Sequence, residues 1–135
     1  LIEQKTEANS RPVDYLVGPD FVYRIQDADG RGPWKPGFSQ SWVEGRQDHE
    51  NLKPWYEEFG RVDQLLCTWE YAGSACESAE QLRRWFTKRE YKRLRKAGYS
   101  AVKIKIGRIL AISKIQCFFA RNQPLNEGVE TVKLY

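Results

Sequence analysis

The residues able to do chemistry in this 135-residue chain are few. A single histidine, His49, sits in the charged stretch Gln47-Asp48-His49-Glu50. A lone imidazole between acids reads as a surface side chain. With no Cys–His spacing it supports neither a transition-metal site nor a His-activated nucleophile. Cys67, Cys76 and Cys117 are odd in number and contain no CxxC pair, so they read as free thiols rather than a disulfide framework or zinc ligands. Carboxylates occur close together as Asp27 and Asp29 and as Glu57-Glu58. Asp27-Ala28-Asp29-Gly30 has the opening of a calcium loop, but position 12 of such a loop would be Phe38, and a turn is expected instead. Glu57-Glu58 reads as a solvated helix face, with a general base as the alternative. There is no P-loop, and Gly30-Arg31-Gly32 lacks the third glycine of a dinucleotide fingerprint.

Two groups of residues suit binding rather than catalysis. The net charge of +4 conceals a segregation: residues 1–82 carry 8 bases and 15 acids, whereas residues 83–108 carry 11 bases and one acid. The basic block interleaves its cations with Trp85, Phe86, Tyr91 and Tyr99, a composition suited to phosphates and stacked bases. Its candidate contacts are Arg84, Lys88, Arg89, Lys92, Arg93, Lys96, Lys103 and Lys105. The competing reading is a solvated helix that neutralises the acidic half. The second group is aromatic: Trp34 and Trp42 in the Gly/Pro-rich loop 30–42, with Trp55 and Tyr56 beyond it. Trp and Tyr anchor protein interfaces, although five tryptophans in so short a chain must mostly pack inward.

The elements that position these groups follow from periodicity. Residues 21–26, FVYRIQ, alternate as a strand. Trp55, Phe59, Val62, Leu65 and Leu66 are spaced for a helix from Pro54 to about Cys67. Ser78 to Gln81 and Thr87 to Glu90 are capping boxes that open two successive helices, and Gly98 is placed to stop the second. Val102, Ile104 and Ile106 then alternate with lysines as a half-buried strand. Residues 109–112, 115–120 and 129–134 have strand composition. The expectation is an α+β domain spanning 21–135, with an antiparallel sheet of about four or five strands and two or three helices on one face. Residues 1–20 are expected to form an arm, whose pairing across a homodimer stays open. The polar start LIEQKTEANSR lacks the apolar core of a signal peptide, and no run spans a membrane, so a cytoplasmic setting is expected.

The stretches FVYRIQDADGRGPWKPGFS, ACESAEQLRRWFTKREYKRLRKAGYSAV and ISKIQCFFARNQPL resemble a group of small uncharacterised phage and prophage proteins. The resemblance covers most of residues 21–125. It implies provenance rather than activity. Together with the aromatic loop and the basic face it leads to the expectation of a non-enzymatic accessory protein in the bacterial host cell, without a cofactor, that binds a host or defence protein, or nucleic acid. Tyr23-Arg24 on the first strand, followed by the Gly-rich loop, also resembles ADP-ribosyltransferase-like domains. That likeness implies NAD or a related nucleotide held by Tyr23, Arg24, Gly30, Gly32, Ser39 (or Ser41) and Gln116. Gln116 stands where the catalytic Glu of such domains is expected. It cannot stabilise an oxocarbenium-like centre by charge, so the expectation leans away from an enzyme, with ADP-ribosyl transfer as the activity if there is one, while ligand binding is unaffected. The two readings differ in geometry. A nucleotide site needs Tyr23, Arg24 and the Gly-rich loop around one concavity that contains Gln116 or another late polar residue, whereas a partner-binding module presents a convex or flat surface and leaves Arg24 paired with Asp27 or Asp29.

Overall fold

The computed structural model describes residues 19–45 and 52–135. Six strands are arranged in two antiparallel three-stranded sheets. β1 (Phe21–Gln26) pairs with β3 (Ser100–Lys105), which pairs with β6 (Glu130–Thr131). β2 (Tyr71–Ala75) pairs with β5 (Cys117–Arg121), which pairs with β4 (Arg108–Ile112). The sheets touch through one antiparallel bridge, in which Tyr23 and Cys76 exchange two N–H···O bonds of 2.8 Å. The α+β class is as expected, but the strands divide into two sheets.

Alternation along the strands sets the layers. Val22, Val102 and Ile104 of the first sheet pack against Ala75, Ile109, Ile112, Cys117 and Phe119 of the second. The opposite face of the first sheet, with Ile25 and Ala101, meets the helices α2 (Ala79–Trp85) and α3 (Lys88–Lys96) through Leu82, Trp85 and Leu94. The outer face of the second sheet, with Phe118 and Ala120, is covered by Trp55 and Phe59 of α1 (Trp55–Phe59) and by Val62. Helices therefore lie outside both sheets. Arg24 and Gln26 share the parity of Val22, so β1 directs two polar side chains between the sheets.

Local chemistry explains where elements begin and end. The Thr87 hydroxyl accepts from Glu90 N–H, and the Glu90 carboxylate accepts from Thr87 N–H, completing a reciprocal cap. Ser78 caps α2 in the same way, but Gln81 reaches back to Glu77 N–H rather than to Ser78. Gly98, at φ +93°, ends α3, with Tyr99 N–H bonded to Leu94 C=O and Gly98 N–H to Arg95 C=O. The helix expected from 54 to about 67 stops at Phe59, because Gly60 turns left-handed at φ +70°, and a separate 3₁₀ turn follows at Val62–Leu65. The last strand shrinks to Glu130–Thr131, and one 3₁₀ turn, Ser39–Ser41, interrupts the Gly/Pro loop. β2 has no strand signature, since Tyr71-Ala-Gly-Ser-Ala holds no β-branched residue.

A bidentate ion pair ties the start of β4 to the loop before β2. Arg108 Nε and Nη2 donate to the two oxygens of Glu70 at 2.9 and 2.7 Å, and Cys67 N–H donates to the same carboxylate. The Arg108 guanidinium, helped by the Cys67 N–H against a smaller burial effect, pulls the Glu70 carboxyl down to about 2. A depressed acid stabilises the fold above its ordinary value of 4.5 and loses that contribution as pH falls towards 2. Denaturant unfolding at pH 5 and pH 2.5 is expected to show a smaller acid loss for Glu70→Gln than for the parent chain. The difference should be about 1 kcal/mol once solvent around the half-exposed Arg108 is allowed for.

Candidate functional site

Below the Tyr23–Cys76 bridge the two sheets part. Continuing the antiparallel register would pair Ile25 with Ser74. Instead, the Arg24 guanidinium crosses the gap and Nη1 donates to Ser74 C=O at 3.0 Å. Nη2 donates to Gly30 C=O at 3.0 Å, and Nε donates to Gln26 Oε1 at 2.9 Å. Gln26 in turn donates to Leu125 C=O at 2.8 Å, which fixes its amide orientation. Arg24 is 8% exposed, and burial lowers its ionisation to about 10 against a partial offset from Asp27, so it remains a cation at neutral pH. No carboxylate stands at ion-pair distance from it among the described residues. Asp27 is occupied elsewhere, accepting from Asp29 and Arg31 N–H at 2.9 Å and lying 3.7 Å from Lys35 Nζ. A guanidinium offers five N–H donors, so one on each terminal nitrogen of Arg24 has no acceptor among the described residues.

The gap opens into a cavity of about 490 Å³, within the usual size range of ligand sites. Arg24 and Ile25 form one wall, Gly73 to Cys76 another, and Gly32, Pro33 and Trp34 the lip from the Gly/Pro loop. Trp55 and Tyr56 enter from α1, and Trp85 and Phe86 from the end of α2. Trp34 is 50% exposed, set edge-on to Trp42 with ring centroids 4.6 Å apart, and Tyr56 is 58% exposed. Trp55 is held by Phe118 at 4.5 Å. Cys76 also lines the cavity, but burial pushes its thiol well above the ordinary value, so it is a wall rather than a nucleophile.

Gln116, 3% exposed, lines the same cavity. Its amide nitrogen donates to Lys53 C=O at 2.7 Å and to Glu58 Oε1 at 2.9 Å. The cavity thus gathers Arg24, Gly32, Trp34, Trp55, Tyr56 and Gln116, residues drawn from both sequence expectations. Several others are not at its wall. Tyr23 packs towards the helices and serves the bridge, Ser39 donates to Lys35 C=O, and Ser41 donates to Phe38 C=O. Gly30 sits behind Arg24 as a carbonyl partner, its φ of +84° requiring glycine. Trp42 is corrected most clearly: at 1% exposure it is core, buttressing Trp34, and no contact surface. His49 lies outside the described residues.

Sequence reasoning missed Gln26, Gly73 and Ser74. Gln26 was findable, because residues two apart on a strand share a face. Gly73 and Ser74 gave no signal, lying in a strand without strand composition. A Cβ on Gly73 would stand 2.2 Å from Arg24 Nη1, whereas one on Gly32 would stand 3.7 Å from Nη2.

The basic candidates lie away from this wall. Lys88, Arg89, Lys92, Arg93, Arg95 and Lys96 are exposed on α3, with Lys105 exposed on β3. Arg89 pairs with Glu44 at 3.3 Å, Arg93 donates to Trp42 C=O, and Lys103 lies over the Phe21 ring at 4.4 Å. Arg84 is exposed and engaged in an interaction. Among the described residues there is no cluster of metal-binding side chains, and no helix is long and apolar enough to cross a membrane.

A family model described as Bacteriophage T4 Y00F protein matches residues 17–133. The chain belongs to this family. No curated protein and no solved structure matches it. The Y00F match begins just before β1 and runs through β6, so it takes in every strand and helix that builds the cavity.

The close fit of Gly73 around Arg24 is testable. Gly73→Ala is expected to lower stability by about 2 kcal/mol through overpacking, whereas Gly32→Ala should change it by less than about 0.5 kcal/mol. Thermal or urea unfolding of both variants checks this contrast.

Proposed function

We propose that this phage accessory protein binds NAD or a related nucleotide in the cleft between its two sheets. One observation carries the reading: Arg24 is a buried cation at the wall of an aromatic cavity, with no carboxylate at ion-pair distance and with unused N–H donors among the described residues. Burying a guanidinium is costly unless an anion pairs with it, and three neutral acceptors with a partial offset from Asp27 leave its charge only partly compensated. A phosphate supplies both the charge and the paired acceptors that a guanidinium fork matches. Trp34, Trp55 and Tyr56 offer ring faces and edges to a flat base. The reading is of binding. Gln116 supplies no negative charge, and Glu58 is bonded to it rather than placed on the cavity wall.

A second reading has its own support. Lys88, Lys92, Arg93, Arg95 and Lys96 project from α3 with no carboxylate at ion-pair distance among the described residues, a face that suits a nucleic-acid backbone. A host protein could use the exposed Trp34 and Tyr56 at the cavity mouth as anchors.

Calorimetric titration with NAD, adenosine 5′-monophosphate and adenosine separates these readings. The cleft reading expects saturable binding of a nucleotide, at least tenfold weaker binding of adenosine, and competition by inorganic pyrophosphate. Absence of binding by both nucleotides at millimolar concentration contradicts it. Binding confined to a single-stranded oligonucleotide, falling steeply with salt, assigns the function to α3.

A further inference from the structure

The cavity holds a second unsatisfied polar group besides Arg24. Both amide hydrogens of Gln116 are committed, one to Lys53 C=O at 2.7 Å and one to Glu58 Oε1 at 2.9 Å. Two oxygens facing one end of the amide fix its orientation, since the flipped amide would set oxygen against oxygen. The remaining atom, Oε1, accepts from nothing among the described residues, although the residue is only 3% exposed. A buried carbonyl oxygen without a donor is a standing cost that a ligand N–H removes.

We infer that Gln116 reads the ligand's base: locked by Lys53 and Glu58, it presents an acceptor and so selects nucleotides whose ring system carries an N–H donor. This inference rests on the nucleotide reading of the cleft and deepens it. Arg24 and Gln116 divide the work. Arg24 offers donors and positive charge, which recognise phosphate in any nucleotide. Gln116 offers only an acceptor, which distinguishes amino, amide or imide groups from a bare ring edge. Sites built to hydrogen-bond a polar group reject analogues lacking it more strongly than apolar walls reject an extra carbon, because the site group is then left unpaired. Glu58 and the Lys53 carbonyl hold the Gln116 amide and act through it as positioning groups.

The test compares ligands that share a phosphate and a ring but differ in the donor. Adenosine, guanosine, cytidine, uridine and nicotinamide mononucleotides all carry an N–H on the base or its amide, whereas purine riboside 5′-monophosphate carries none. Calorimetric titration of the parent chain is expected to give at least one donor-bearing nucleotide binding roughly tenfold or more tightly than purine riboside monophosphate. In Gln116→Met that gap should close to within about threefold. Equal affinity of the parent chain for the donor-free ligand and all five others overturns the inference while leaving the nucleotide reading intact. No binding by any of the six overturns both. The comparison on the parent chain stands even if the variant fails to fold.

Discussion

A cation is buried between two sheets with no carboxylate at ion-pair distance among the described residues, and much of the architecture can be traced to that. Arg24 follows the inward parity of Val22 on β1, the face of the first sheet whose Val22, Val102 and Ile104 pack against the second sheet. Dehydrating a guanidinium is tolerable only with several acceptors around it. The chain provides them from three places: Gln26 on the same strand, Gly30 in the following turn, and Ser74 on the facing sheet. The Ser74 bond occupies the place where β1 and β2 would otherwise continue their ladder. The sheets therefore meet at Tyr23–Cys76 and then part, and the parting makes the cavity.

The same constraint reaches residues that look unrelated. Gly73 lacks a side chain where Arg24 Nη1 arrives, and Gly30 adopts a positive φ that aims its carbonyl at Nη2. Trp42 lies under Trp34 and Phe86, holding the lip of the cavity rather than offering a surface of its own. A different buried arginine, Arg121, donates to four backbone carbonyls of residues 105, 123, 124 and 127 and closes the other end of the second sheet. The contrast is instructive: Arg121 is enclosed by acceptors, whereas Arg24 keeps donors on a cavity wall.

Much of the fold was legible in the sequence. The caps at Ser78 and Thr87, the stop at Gly98 and the alternation in 21–26 and 102–106 are local signals, and local geometry obeys them. Legibility failed where long-range packing decides. Tyr71 to Ala75 becomes a strand only because β5 offers Phe119 and Phe118 as partners, and Gly60 outweighs the helical spacing of Val62 and Leu65. The division into two sheets depends on Arg24 reaching Ser74, fifty residues away, which no periodicity records. Arg24 and Gln116 were nameable as candidates. That they share a wall with Trp34, Trp55 and Tyr56 is a fact of tertiary structure. The charge segregation reads differently once folded. Only Arg89–Glu44, among the described residues, joins the acidic half to α3 by an ion pair, so most of that helix's charge faces solvent.

The most direct measurement follows the arginine side-chain nitrogens by NMR on ¹⁵N-arginine-labelled protein during titration with adenosine 5′-monophosphate. The account predicts that the Arg24 Nε and Nη resonances, assigned by Arg24→Lys, are protected from exchange in the free protein and shift saturably with ligand. The arginines of α3 should move little. Shifts confined to the α3 arginines, or an Arg24 signal indifferent to ligand, would contradict the claim that this buried cation awaits an anion.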